Sequence, residues 1–303
     1  MIYSISLNSS IDYVIFTTEF DVEGSSNSVE EFMYPGGKGI NVARVLTYLD
    51  IPTKILGFVG GFTGRYIEES LKNEDVLTDF IHTRDRSRVN VKIKSEAEYE
   101  INGVNPAITQ EELTLFFASL SQIKDGDLVL LCGKVAQVFS SDIYVQIMEK
   151  LKGKKIDFVV DTTDDALLST LVYKPLFIKP NLSELETLFN VKISHLDQLI
   201  YYGNKLIELG AQNVVVSLAS EGAILITKSK NTMAFVPSIE PKNSVGAGDS
   251  LVAGMVYSLR KGYSLEKSFR YGVAMSVNAV TSKTLFDSEE IDNIYEKIRL
   301  KEL

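Results

Sequence analysis

Cysteine and histidine are scarce: the 303-residue sequence holds one cysteine, Cys132, and two histidines. One thiol excludes an internal disulfide, and this inventory cannot furnish a zinc site of the common kinds, so no protein-held metal is expected. In LVLLC the cysteine reads as core packing. Long apolar runs are missing as well. No stretch approaches membrane-spanning length, and MIYSISLN lacks the basic start, apolar stretch and small-residue cleavage site of a secretory signal. The expectation is a cytoplasmic chain with no membrane partner. Nor is there a basic excess. The net charge of −9 opposes nucleic acid and anionic membranes, so an anionic small substrate would need a local cluster of donors. Neither Gly-x-x-x-x-Gly-Lys-Ser/Thr nor Gly-x-Gly-x-x-Gly occurs, which removes the main support for a P-loop NTPase or a dinucleotide oxidoreductase.

What is present reads as an ordinary soluble globular chain, with 45% hydrophobic and 23% charged residues and length enough for a sizeable core. Apolar runs at 2–7, 53–58, 128–131, 158–161, 177–179 and 214–217 predict strands, mostly buried and parallel. Helical spacing appears at 39–49, 64–73, 109–121, 140–151, 182–189, 196–209 and 247–259. Strands alternating with helices predict an α/β fold with a mostly parallel sheet. Two segments break the rhythm, and VNVKIKSEAEYEIN alternates like exposed antiparallel strand. We assign about 9–35 and 88–104 to a small β-lid on one domain spanning 1–303, since no linker or internal repeat divides the chain.

Three glycine-rich segments carry candidate chemistry. In Asn243-Ser-Val-Gly-Ala-Gly-Asp-Ser250 the glycines stand where a helix begins, so inward-turned amides and the helix dipole make an anion site. Asp249 beside it could accept the proton of an attacking hydroxyl while the amides of Gly246, Ala247 and Gly248 stabilise transferred charge. A bare helix-capping aspartate is the alternative. In Pro35-Gly-Gly-Lys-Gly-Ile-Asn-Val-Ala-Arg44, Gly37 permits close backbone approach while Lys38 and Asn41 can reach polar groups of a sugar. A turn followed by a helix with solvated charges explains that segment equally well. Gly57 to Gly64 reads as a backbone packing loop.

PGGKGINVAR and NSVGAGDS, in this order and about 200 residues apart, resemble the two signatures of the ribokinase-like (phosphofructokinase B) carbohydrate kinases. Within that family the chain is most similar to the 1-phosphofructokinase and tagatose-6-phosphate kinase branch. SLNSSIDYVI, GFVGGFTGRYIEESL, RVNVKIKSEAEYEIN, FIKPNLSELETLF and VVVSLASEGA extend the resemblance over nearly the whole chain.

The resemblance implies a three-layer α/β/α sandwich with a β-lid, ATP and Mg²⁺ as cofactors, and a sugar phosphate as partner, with a homodimer formed through the lid. It implies Asp249 as proton acceptor and Gly246 to Gly248 as anion hole. Asp12, Gly37, Lys38, Asn41, Arg88 and Asn102 match positions on the sugar-phosphate side. Lys179, Asn181 and Glu184, Ser217 with Glu221 and Gly222, Ser244 and Asn278 match positions on the nucleotide side. Departures gather on the acceptor side. Ser26-Asn27-Ser28 lacks the basic residue usual there, and Asn102-Gly-Val-Asn-Pro106 departs from the lid motif. Lys134 stands where a serine is usual, either as a phosphate contact or as a surface lysine.

The implied activity is MgATP-dependent phosphoryl transfer to a ketohexose phosphate, fructose 1-phosphate or tagatose 6-phosphate. A kinase for another sugar or a nucleoside is the alternative within enzymes, and a binding-only descendant the alternative outside them.

Overall fold

Strands rich in Val, Ile and Leu that are apolar on both faces must be covered on both, and the architecture follows from this requirement. The computed structural model describes residues 1–239, 246–282 and 289–303. The strands are β1 (Ile2–Ser6), β2 (Ser10–Phe16), β3 (Glu30–Gly36), β4 (Thr53–Gly60), β5 (Leu77–Thr83), β6 (Arg88–Lys94), β7 (Glu98–Ile101), β8 (Leu128–Cys132), β9 (Asp157–Asp161), β10 (Phe177–Ile178), β11 (Val214–Ser217), β12 (Ala223–Ile226), β13 (Asn231–Phe235) and β14 (Arg299–Glu302). The helices are α1 (Lys38–Tyr48), α2 (Gly61–Asn73), α3 (Gln110–Ser119), α4 (Ile143–Lys150), α5 (Asp164–Thr170), α6 (Leu182–Phe189), α7 (Leu196–Leu209), α8 (Ala247–Arg260), α9 (Leu265–Thr281) and α10 (Ile291–Lys297).

Ten strands form one sheet in the order β14-β13-β12-β11-β10-β9-β8-β1-β4-β5. From β11 to β5 neighbours are parallel, while β12, β13 and β14 extend the sheet antiparallel. On one face Tyr3, Ile5 and Val160 pack with Phe116 of α3, Ile147 of α4, Leu167 of α5, Leu185 of α6 and Leu206 of α7. On the other, Ile2, Leu130 and Val159 meet Val42 of α1, Leu251 of α8, Phe269 of α9 and Ile291 of α10. The result is a three-layer α/β/α sandwich with a mostly parallel central sheet.

A separate four-stranded sheet, β3-β2-β6-β7, occupies the two segments expected to form a lid. Its β6 is antiparallel to β7 yet parallel to β2, so the expectation of antiparallel pairing holds for one partner only. The alternation of VNVKIK sorts its faces. Asn90 and Lys92 share a face with Asp12, whereas Val91 and Ile93 share the opposite face with Tyr13, Met33, Tyr99 and Ile101.

Several expected boundaries shift. The helix expected at 109–121 starts at Gln110, because Thr109 caps it reciprocally with Glu112. The helix at 140–151 begins at Ile143, and the segment 57–64 is no loop, since β4 runs to Gly60 and α2 starts at Gly61. The seventeen-residue α9 lies outside every expected helix although Leu265, Phe269, Val273 and Val277 carry helical spacing.

Candidate active site

Parallel strands point their carboxyl ends to one edge of a sheet, and the small sheet closes over that edge. Between them lies a cavity of about 870 Å³. The strand ends deliver Ser6, Cys132 and Asp161, with Lys179 just beyond β10 and Ser217 closing β11. Helices α1 and α8 begin at the same place.

Both helices start on glycines in conformations that disfavour other residues: Gly37 before α1 has φ +113° and Gly246 before α8 has φ +78°. This turn aims the first-turn amides of α8 into the cavity, where they can receive an anion. Asp249, in that turn, is 6% exposed. Its Oδ2 accepts a hydrogen bond from Asn41 Nδ2 at 2.8 Å, fixing the carboxylate while leaving Oδ1 for another donor. Burial pushes the Asp249 carboxyl up to about 6, the negative charge of Asp161 pushes the same way, and Lys38, the Asn41 bond and Lys179 oppose both.

Asp161 is fully buried and pairs with two lysines, Lys38 Nζ at 3.4 Å and Lys179 Nζ at 3.4 Å. Lys38 also lies 4.0 Å from Glu184. Burial disfavours the Lys38 ammonium, but Asp161, Asp249 and Glu184 outweigh it and hold the group protonated above its ordinary value. Asn181 caps α6 and forms a reciprocal box with Glu184, so both have a structural reason to be there as well as a place on the cavity wall.

The small sheet supplies the opposite wall. Asp12 Oδ1 accepts from Ser10 Oγ at 3.0 Å and Asn90 Nδ2 at 2.8 Å, while its Oδ2 meets Lys92 Nζ at 3.4 Å. Arg88, two residues from Asn90, has its Nε buried without a hydrogen-bond partner. The buried Oδ1 atoms of Asn8, Asn41 and Asn105, elsewhere around the cavity, are equally unpartnered. Such orphaned groups are costly unless a ligand meets them.

Of the residues singled out in the sequence, Asp12, Gly37, Lys38, Asn41, Arg88, Asn102 and Lys134 line the cavity, as do Lys179, Asn181, Glu184, Ser217 and Gly246 to Asp249. Three candidates do not. Glu221 is exposed in a 3₁₀ turn, and Gly222 has a packing reason, since a Cβ there would come within 2.0 Å of the Ala234 carbonyl oxygen. Asn278 is fully buried on α9. Ser244 lies outside the described residues. Lys134 sits at the rim, its side chain 77% exposed and 3.6 Å from Asp164. Arg44 of the first glycine motif turns away and forks onto Glu74 at 2.6 and 2.7 Å.

The sequence assigns no role to Asn90, Lys92, Glu100 or Asp161. For Asn90 and Lys92 the alternating parity of VNVKIK was the available signal; for Asp161, a carboxylate ending a buried strand.

The profile of the pfkB family carbohydrate kinases matches residues 2–291. The chain belongs to that family. It is 39% identical to a 1-phosphofructokinase of Bacillus subtilis and 30% identical to a D-tagatose-1-phosphate kinase of Bacillus licheniformis, in each case over 100% of both chains. Its fold superposes on phosphofructokinase-2 from Escherichia coli, solved in complex with substrates and products, with a TM-score of 0.92 at 27% identity, covering 97% of this chain and 98% of that one. Membership makes this chain a carbohydrate kinase, which implies ATP as the phosphoryl donor. No helix among the described residues is long and apolar enough to cross a membrane.

Proposed function

We propose that this kinase phosphorylates a ketohexose 1-phosphate, with fructose 1-phosphate the foremost acceptor, to give the 1,6-bisphosphate. The carrying observation is a buried carboxylate, Asp249, held by Asn41 in the same cavity as orphaned amide oxygens and an orphaned arginine donor. Amide oxygens and Asp12 suit the hydroxyls of a sugar, and Arg88 suits its phosphate. Both similar Bacillus enzymes take a sugar 1-phosphate in their names, which favours that acceptor over tagatose 6-phosphate.

Asp249 Oδ1 accepts the proton of the attacking hydroxyl. A group ionising near 6 is ionised at neutral pH while still basic enough to help, the compromise general-base catalysis requires. The first-turn amides of α8, with Lys38 and Lys179, face the transferred phosphoryl group and stabilise its charge. ATP would occupy the side of the cavity lined by Lys179, Asn181, Glu184 and Ser217, and Mg²⁺ arriving with it would neutralise its phosphates.

The chain acts as one kinase domain with the small sheet as its lid, and it works in the cytoplasm. Met33, Tyr99 and Ile101 expose an apolar outer face of that lid, which we assign to a second copy of the chain. A coupled ADP-release assay over fructose 1-phosphate, tagatose 6-phosphate, the free sugars and nucleosides tests the proposal. Preferential turnover of fructose 1-phosphate is expected. Preference for a neutral sugar or a nucleoside would move the assignment elsewhere in the family, and binding without ADP release would mark a non-catalytic descendant.

A further inference from the structure

The acceptor's phosphate must meet positive charge at the end of the cavity away from Asp249, and three cations line the acceptor side: Arg88, Lys92 and Lys134. Lys134 points to solvent and pairs with Asp164. Position 28, where the branch usually carries a basic residue, is an exposed serine. Lys92 differs from both, because its side chain is only 17% exposed and its ammonium reaches back along β6 to Asp12, which lies opposite Asn90. That direction brings it toward Arg88, on the same face of the strand.

Two carboxylates accompany this pair. Asp12 is buried and tied down by Ser10 and Asn90. Glu100, the cross-strand partner of Lys92, is 3.8 Å from its ammonium and 53% exposed. Burial holds the Arg88 guanidinium below its ordinary value, and the charges of Asp12 and Glu100 oppose that only in part. The four charges cancel within the wall. A phosphate adds about two negative charges, so one carboxylate must give way, and only Glu100 is free to turn into water.

We propose that Lys92 is a specificity-determining residue that binds the acceptor's phosphate together with Arg88, and that Glu100 is its resting counter-ion, displaced when the phosphate enters. This rests on the sugar-phosphate reading of the preceding section. Lys92 thereby supplies, from inside the lid, the positive charge that Ser28 does not. Asp12 stays in place and remains free to accept from a sugar hydroxyl.

Two variants move KM in opposite directions. Lys92→Met keeps the aliphatic stem and removes the charge, so KM for fructose 1-phosphate should rise roughly 10- to 150-fold, with kcat and KM for MgATP changing far less. Glu100→Gln removes the competitor, so KM should fall about two- to five-fold, by the loss of a half-exposed ion pair. A merely structural role in the lid would raise KM in both. An unchanged KM in Lys92→Met, or a rise in Glu100→Gln, overturns the inference; if Lys92→Met does not fold, Glu100→Gln decides alone. Should the wild type turn over no sugar phosphate, the functional reading fails. Calorimetric titration of both variants with fructose 1-phosphate still tests Lys92, and equal affinity for wild type and variants overturns it.

Discussion

The cavity has two walls built on different electrostatic plans. At the strand ends, the carboxylates are held within the protein: Asp161 lies between Lys38 and Lys179, and Asp249 accepts from Asn41. Across from them Arg88 Nε of the small sheet and Asn105 Oδ1 just beyond it are unpartnered, and Glu100 is half in solvent. The first wall is organised before any ligand arrives, as stabilisation of a transition state requires. The second is completed by its ligand. Chemistry and acceptor choice should therefore separate under mutation.

The sharpest division comes from Asp249→Ala, which should lower kcat about 10²- to 10⁴-fold while leaving nucleotide affinity near that of the wild type. Steady-state kinetics with calorimetric titration of MgATP would check it. Loss of ATP affinity alongside kcat would mean the residue shapes the turn.

On the opposite wall, Arg88→Ala should raise KM for the sugar phosphate roughly 10- to 150-fold with little change in KM for MgATP. If kcat fell instead, the two walls would not be separable.

The pH profile of kcat at saturating acceptor probes the first wall. With Asp249 ionising near 6, kcat should fall about tenfold per pH unit below that value and level off above it. The same shift has a sign for stability. A carboxylate raised from 3.8 to about 6 costs the folded state nothing below pH 4, increasingly between 4 and 6, and most above 6. Asp249→Asn should accordingly stabilise the protein at pH 7.5 by about 1 to 3 kcal/mol and give no gain at pH 4, by denaturant unfolding.

Lys134→Ser should change KM less than about threefold, because an exposed pair with Asp164 contributes little. A larger loss would place Lys134 in the acceptor site and assign the missing positive charge to the rim.

The sequence by itself determined the layering, because buried parallel strands and amphipathic helices are written in local periodicity, and it located the two glycine turns, because only certain backbones start a helix that way. It also marked Asp249, Lys38 and Asn41 as candidates, but gave no means of telling ligand-facing polar residues from structural ones. Tertiary packing decided that. Arg44, inside the same motif as Lys38, turns to Glu74, whereas Asp161 closes an otherwise apolar strand and becomes the hub between two lysines. The alternation of VNVKIK announced a strand without saying which face looks outward. Here the polar face lines the cavity and part of the apolar one meets solvent, the reverse of an ordinary surface sheet. Periodicity is a property of neighbouring residues. What a face meets depends on segments far away in the chain, and only the folded arrangement brings residues 12, 41, 92 and 249 around one space.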